Sequence, residues 1–478
     1  MEAQSLSVKR AEVEFHSFAS MGQPERAIAA YAEENVRRAD FIRRHADFIG
    51  PMSPFLEIGA NAGHTSYMLC NEFGAEGFAL DISADSLRYG ADLLGRWNWS
   101  KSPVRIAGDA LHLPFRDGSV RMVLAYQMLS QFMDIDQVFR EVVRVLAPGG
   151  IFLFAEEPLR RLLTLGLYRC PYWDSMKPWE RKLYEWGLLG YLVRDVIGAQ
   201  QEESFGIRQN HSMNLDSWRA LINRHFVDYE AEIFVPERGW GERVVKRLAI
   251  RMHPARSVSG AGRLLGGTLA AVCRKAGQGF TEPFQTDRFE SLLRCPDCHS
   301  GLSRADGDAL RCECGYQAPN EGGVFNLLPS DERKELYPGD RDDVIDFSLA
   351  NHERKLLDGW YEVEGVFGNK YRWMGKSASA RLSRVSPLPQ RLRVRGYVPP
   401  QAIETQGHVW VEIVANGLKL GSWTLTRTGL FVIETDLPDS PEYKIDISAA
   451  PVWRIPSDDR TLSVNVSMIR LIPRESGP

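Results

Sequence analysis

Between Phe55 and Asp81 the chain reads FLEIGANAGHTSYMLCNEFGAEGFALD, with one carboxylate, Glu57, two residues before Gly59 and another, Asp81, closing the stretch. Gly59 and Gly63 suit a turn whose backbone must pass close to a ligand with no Cβ in the way. An acid about twenty residues further on, at the tip of a second strand, can accept both hydroxyls of a ribose. The G-x-G-x-x-G spacing that cradles a pyrophosphate is absent, and an acid at Glu57 is wrong for a phosphate. A carboxylate there suits a nucleoside cofactor that carries positive charge and an amino-acid tail, and S-adenosylmethionine (AdoMet) is such a cofactor. A second constellation lies downstream, Cys295-Pro-Asp-Cys298 and Cys312-Glu-Cys314, with thirteen residues between the pairs. Four soft thiolates on two short turns are what Zn²⁺ requires of a structural site. The second pair is one residue shorter than the common C-x-x-C, which makes His299 an alternative ligand.

After Asp81 come a short strand (Val104 to Ala107), Gly108-Asp109-Ala110, then LHLPFRDGSVRMVLAYQMLSQF, a helix from about Asp136 to Leu146, and Ala147-Pro148-Gly149-Gly150 before the strand Ile151 to Ala155. Residues 40–160 thereby resemble the class I AdoMet-dependent methyltransferases, small-molecule type. The resemblance implies that Glu57, Gly59 and Gly63 line the methionine end, Asp81 the ribose, and Asp109 with Ala110 the adenine. It adds Asn61, Ile82 and Tyr126 to the cofactor-binding set. Asn61 replaces the usual middle glycine, and Asn tolerates a left-handed backbone better than most residues. Leu129-Ser130-Gln131 stands where many relatives carry Leu-His-His, which removes one catalytic histidine. Glu156 and Glu157, leaving the fifth strand, and His211 are then the candidate bases. Residues 289–329 resemble the zinc ribbon of the family that includes the small activator subunit of tRNA and protein methyltransferases. The shared marks are L-x-C-P-x-C, Tyr316 after the last Cys-Gly, and a closing G-V-x-x-L-L-P.

These sites need elements to hold them. A chain of 478 residues suggests about three domains. The expected division is an α/β Rossmann-like methyltransferase domain over residues 1–277, a compact separate zinc ribbon over 288–330, and an antiparallel β-sandwich over 345–473. Residues 1–50 read as a helical lid, with His16 able to reach the site. The stretch from Leu159 to Arg208, rich in Leu, Tyr and Trp, reads as the acceptor pocket, where Tyr172, Trp173, Trp179, Tyr184 and Trp186 offer flat faces to a sugar. Residues 214–226 read as a helix, DYEAEIFV as a strand, and 267–275 as a last antiparallel strand. The insertion 243–263 carries six basic residues and no acid. Its start reads as an amphipathic helix with Arg243, Lys246, Arg247 and Arg251 on one face, a pattern that can lie on an anionic membrane or hold a phosphate-bearing substrate. DERKELYPGDRDD (331–343) reads as a charged linker.

From Ile345 to Ile472 period-two alternation dominates, with Asn416-Gly417 as a hairpin turn. Gly359-Trp360-Tyr361-Glu362, Arg372-Trp373 and Arg460-x-Leu462-Ser463-Val464 resemble jelly-roll modules of bacterial surface-glycan enzymes, with Trp360, Trp373 and Trp453 as sugar platforms. Hydrophobic content of 44%, charged content of 25% and a net charge of −4 give no global drive toward nucleic acid. No apolar run approaches the roughly 18 residues that span a bilayer. Cysteine pairs in place of a disulfide frame point to a reducing compartment. The expectation is a cytoplasmic enzyme, peripheral at the inner membrane face through 243–263, that O-methylates a sugar of a surface glycan or lipid-linked precursor. The alternatives are a methyltransferase of RNA or a translation protein, and a non-catalytic glycan-binding scaffold. An RNA-directed amine methyltransferase would want [N/D]-P-P-[Y/F] after the fourth strand, where this chain has Ala125-Tyr126-Gln127-Met128.

Overall fold

FLEI is buried at all four positions of Phe55–Ile58 (β1), as a central strand covered on both faces must be. The computed structural model of the protein describes residues 9–10, 13, 24–132, 134–159, 213–234, 250–252, 267–278, 286–305, 308–347, 350–366, 369–454 and 459–473. Strand β1 pairs in parallel with Gly77–Asp81 (β2) and Val120–Tyr126 (β4); β2 pairs with Val104–Ala107 (β3), and β4 with Leu146–Leu159 (β5). Asp228–Phe234 (β6) and Gly267–Arg274 (β8) complete this side, with β8 antiparallel to both β5 and β6. The resulting order β3-β2-β1-β4-β5-β8-β6 is a Rossmann-like sheet with the reversed last strand that the sequence predicts.

The helices begin where the sequence offers a cap. Ser83 accepts from Ser86 N–H ahead of Ala84–Leu94, Asp134 from Gln137 N–H ahead of Ile135–Val145, and Asn214 from Ser217 N–H ahead of Leu215–His225. Pro24–Arg44 (α1), His64–Glu72 (α2), Ala84–Leu94 (α3), Ile135–Val145 (α4) and Leu215–His225 (α5) are the helices that matter for the site. Trp218, Phe139, Phe152 and Phe154 meet in the core beneath α4 and α5.

Three expectations are corrected. Ile250–Met252 (β7) is a strand antiparallel to β6, so the basic helix does not extend through Arg251 and Met252; residues 243–249 and 253–263 lie outside the described residues. Residues 331–336 belong to a helix, Ser330–Leu336, where a linker was expected. The cysteine-bearing segment is no separate body. It forms a three-stranded sheet of Ser303–Arg304 (β9), Leu310–Arg311 (β10) and Gln317–Ala318 (β11), and then a hairpin of Asn320–Glu321 (β12) and Val324–Asn326 (β13). Strand β13 adds in parallel to β3 and so extends the Rossmann sheet. Cys295, Leu310, Cys312, Tyr316 and Phe325 share one hydrophobic cluster with Phe78 and Phe115, because a unit this small cannot enclose a core of its own.

A second compact unit begins at Lys334. It contains two antiparallel sheets. One runs Trp360–Val366 (β15), Asn369–Met374 (β16), Asn465–Pro473 (β23), Gln390–Val398 (β18) and Gly429–Asp436 (β21), with Val344–Asp346 (β14) also on β23. The other runs Ser377–Ser383 (β17), Glu442–Ala450 (β22), Val409–Ala415 (β19) and Leu418–Leu425 (β20). Inward residues of both sheets, among them Val394, Ile469, Ile413 and Ile445, form one hydrophobic cluster, the arrangement of a sandwich. The Asn416-Gly417 hairpin is present, with both residues at positive φ (50° and 82°), as a type I′ turn demands.

Candidate cofactor site and cysteine cluster

The turn after β1 is left-handed three times over, at Gly59 (φ 66°), Asn61 (φ 50°) and Gly63 (φ 78°). A Cβ on Gly59 would lie 2.8 Å from Met128 Sδ, so the position takes glycine for space as well as for conformation. Asn61 takes a left-handed backbone that asparagine tolerates better than most residues. Its N–H donates to Asp81 Oδ2 at 2.7 Å, and Ser83 N–H donates to Asp81 Oδ1 at 2.8 Å. Asp81 is thus fixed at the tip of β2 with one amide on each oxygen, and a carboxylate oxygen accepts more than one hydrogen bond. Ile82 beside it is half-buried. Helix α3 closes from below: a Cβ on Gly90 would lie 2.2 Å from the Ala62 carbonyl oxygen.

Glu57 does not stand open at this turn. Its Oε2 accepts from both the N–H (2.8 Å) and the hydroxyl (2.5 Å) of Ser66, which pins the start of α2 to β1. Burial pushes its pKa up. Helix α1 packs over the same turn. Asn35 Nδ2 donates to the His64 carbonyl, Tyr31 stacks on His64 with ring centres 4.2 Å apart, and Arg38 reaches Thr65 Oγ1 at 2.6 Å and His64 Nε2 at 2.8 Å. The Arg38 guanidinium also lies 4.1 Å from the centre of the Tyr126 ring. Four buried polar atoms here have no partner among the described residues: Asn35 Oδ1, Arg38 Nε, His64 Nδ1 and the Tyr126 hydroxyl. Orphaned buried polar atoms are costly. Four of them beside a glycine turn and a ribose-type acid fit a polar ligand with an amino-acid tail. Sequence reasoning missed Arg38, His64 and Asn35; the only signal was a helical segment upstream of β1.

The candidate bases separate. Glu157 is fully buried, and its oxygens accept from the N–H groups of Met128 (3.0 Å), Leu129 (2.9 Å) and Ser130 (3.0 Å). Burial pushes its pKa up to about 7, with the three amides working against that rise. Those bonds anchor the turn after β4, which makes Glu157 a support of the site and takes it out of the set of bases. Glu156 adopts a left-handed φ of 65°, and its carboxylate meets Arg38 at 2.9 Å, Arg37 at 3.4 Å and Gln127 Nε2 at 2.9 Å. It neutralises Arg38 at the rim of the sheet. His211, His16 and the aromatic residues between Leu159 and Arg208 lie outside the described residues. On the far side of the turn, Asp109 and Ala110 are buried after β3; Asp109 accepts from Leu111 N–H at 2.9 Å and contacts His112 Nδ1 and Lys9 Nζ, each at 2.9 Å.

The four cysteine sulfurs lie within 4.8 Å of one another, with Cys295–Cys314 at 3.7 Å and Cys298–Cys312 at 3.4 Å. A tetrahedron of thiolates around a metal at about 2.3 Å puts sulfurs roughly 3.8 Å apart, so the donor set fits. Cys314, from the short C-x-C, supplies the fourth sulfur of this group.

Residues 56–154 match the family model described as "Methyltransferase domain", and this stretch is a methyltransferase domain of the AdoMet-dependent class. Among curated proteins, norajmaline N-methyltransferase of Rauvolfia serpentina is 26% identical over 128 residues, 27% of this chain and 41% of that protein. Demethylmenaquinone methyltransferase of Thermobifida fusca is 34% identical over 118 residues, 23% of this chain and 49% of that protein. The chain therefore spans less than half the length of these relatives. Among solved structures, phosphoethanolamine N-methyltransferase 2 of Haemonchus contortus, in complex with S-adenosyl-L-methionine, is 18% identical, covering 51% of this chain and 52% of that one with a TM-score of 0.30.

Proposed function

We propose that the protein is an AdoMet-dependent methyltransferase that O-methylates a sugar hydroxyl of a surface glycan or its lipid-linked precursor. The observation that carries the methyltransferase reading is the Asp81 carboxylate held by two backbone amides across from a left-handed glycine turn. Bound AdoMet would supply a methyl group already activated by its sulfonium, for in-line transfer to the acceptor oxygen. The chain's own part is placement and exclusion of water. Asp81 takes the ribose hydroxyls, the turn from Gly59 to Gly63 lets the backbone approach, and Arg38, His64 and Asn35 offer polar atoms to the amino-acid end. The turn anchored by Glu157 walls the methyl-bearing side. The acceptor class rests on the resemblance of the sandwich strands to glycan-enzyme modules; the two relatives named above bear the names of other acceptors. A Zn²⁺ held by Cys295, Cys298, Cys312 and Cys314 would serve structure alone, because four protein ligands leave no open position. A peripheral membrane contact through 243–263 belongs to the same reading, since a lipid-linked acceptor resides there.

Calorimetric titration with AdoMet tests the core of this. Asp81→Ala removes two charge-assisted hydrogen bonds to the ribose and should weaken binding by about 100-fold. Unchanged affinity contradicts the site. Mass spectrometry of surface glycan with and without the protein then tests the acceptor; loss of no methyl group refutes the glycan assignment.

A further inference from the structure

Asp109 is 3% exposed, and a carboxylate that deep needs partners. Leu111 and His112 lie two and three residues further along the chain. Lys9 comes from well before the matched segment, is itself 8% exposed, and sets its ammonium 2.9 Å from Asp109 Oδ2. Lys9 is held in turn by Glu332 Oε1 at 2.5 Å. Glu332 sits in the helix that follows β13. That helix is located by the sheet, because β13 pairs with β3 as Asn326↔Ala107 and Leu327 N–H donates to the Ala107 carbonyl at 2.8 Å, two residues before Asp109. The segment that leaves the cysteine cluster therefore runs alongside the strand that presents Asp109.

We propose that Lys9 and Glu332 are positioning residues for Asp109, so that the N-terminal segment and the chain leaving the cysteine cluster together complete the adenine side of the cofactor site. The inference rests on the reading of Asp109 as the adenine-side acid. A carboxylate offers about four acceptor positions. Lys9, His112 and Leu111 use three of them, two on Oδ2 and one on Oδ1, and leave Oδ1 able to accept from the exocyclic amine of adenine. The ammonium also keeps the acid ionised. Burial raises the Asp109 pKa, but His112 and Lys9 outweigh it and the net shift is downward. A metal between Asp109, His112 and Glu332, whose ligand atoms lie within 4.8 Å of one another, would have to displace the ammonium that already bridges two of them.

The test compares S-adenosylhomocysteine with its 6-oxo analogue, S-inosylhomocysteine, in the full chain by calorimetry. Wild-type protein should prefer the amino base by about tenfold or more, the value of one hydrogen bond to a charged acceptor. Lys9→Met and Glu332→Gln should each collapse that preference toward unity, with the double variant no worse than either, and Lys9→Arg should restore most of it. A merely structural role would weaken both compounds together and leave the ratio intact; that result overturns the proposal. So does tighter binding in Lys9→Met, which would make Lys9 an obstruction. If Lys9→Met fails to fold, Glu332→Gln alone decides, since that side chain is 22% exposed and tolerant. Wild-type protein that binds neither compound refutes the cofactor reading itself, and this proposal with it.

Discussion

The Arg38 guanidinium lies over the Tyr126 ring, 4.1 Å from its centre, while its terminal nitrogens hold Glu156 at 2.9 Å and Thr65 at 2.6 Å. One guanidinium thus fastens helix α1 to three elements, the start of α2 and the ends of β4 and β5. Arg38→Ala leaves Glu156 with Gln127 Nε2 at 2.9 Å and the more exposed Arg37 at 3.4 Å, and should cost on the order of 3 kcal/mol of stability, read as a lowered midpoint in urea. Arg38→Lys should recover little, because an ammonium cannot stack and fork at once. AdoMet binding should fall in both variants.

Gly90→Ala should be destabilising although it sits inside helix α3, where alanine normally gains about 1 kcal/mol over glycine. The added Cβ would lie 2.2 Å from the Ala62 carbonyl oxygen and 2.5 Å from its Cα, so backbone must move against backbone. The helix can yield only by lifting the cofactor turn. Thermal unfolding reads the sign, and AdoMet titration should show a weakened site in whatever fraction folds.

His45 joins the end of α1 to β6, with Nδ1 at 2.6 Å from Glu230 and Nε2 at 3.2 Å from Glu232. Burial lowers its pKa, yet Glu232 and Glu230 outweigh that and raise it overall. A raised histidine adds stability that is complete below its ordinary pKa near 6.5 and is lost as pH rises through the folded value. Glu232 runs the other way: burial opposes ionisation, but His45 and Arg44 hold its pKa down to about 2, so its contribution is present above the usual 4.5 and vanishes as pH falls toward 2. Stability against urea, measured across pH, should therefore fall off on both sides, and His45→Gln should abolish the alkaline limb and make the acid limb shallower, leaving the share that Arg44 contributes to Glu232.

The protein as purified should carry about one zinc per chain, released stoichiometrically when the thiols are titrated with a mercurial. Cys298→Ser should abolish the content. Hydrogen exchange should then quicken in β9 to β13 and also at β3, because β13 hydrogen-bonds to it. Protection at β3 that does not change would mean that the metal supports only its own loop.

The Rossmann strands were legible because buried parallel strands read as near-continuous apolar runs, as FLEI and GFALD do, interrupted only by Glu57 within the first and closed by Asp81 at the end of the second. Asp81 was legible for the same reason: its distance from the turn is set by one helix and one strand. Arg38 was not, since an arginine in a charged helix carries no mark of what lies across from it in space. Glu157 misled because two adjacent acids leaving a strand look alike in one dimension, while alternation turns one into the turn behind β4 and the other toward the rim. The cysteine segment looked independent because its ligand spacing is self-contained. Nothing in GGVFN announces that its next partner is a strand more than two hundred residues earlier.

The pairing of β13 with β3 also has a bearing on solubility. Without it, β3 would be the outermost strand on this side of the sheet, with an unpaired edge that invites intermolecular strand pairing. Three-residue β13 covers that border, and two-residue β12, which precedes it in the chain, becomes the new edge, too short to recruit another copy. A fragment cut before residue 288 would expose the border, and its precipitation would reflect a missing hem rather than a defective enzyme.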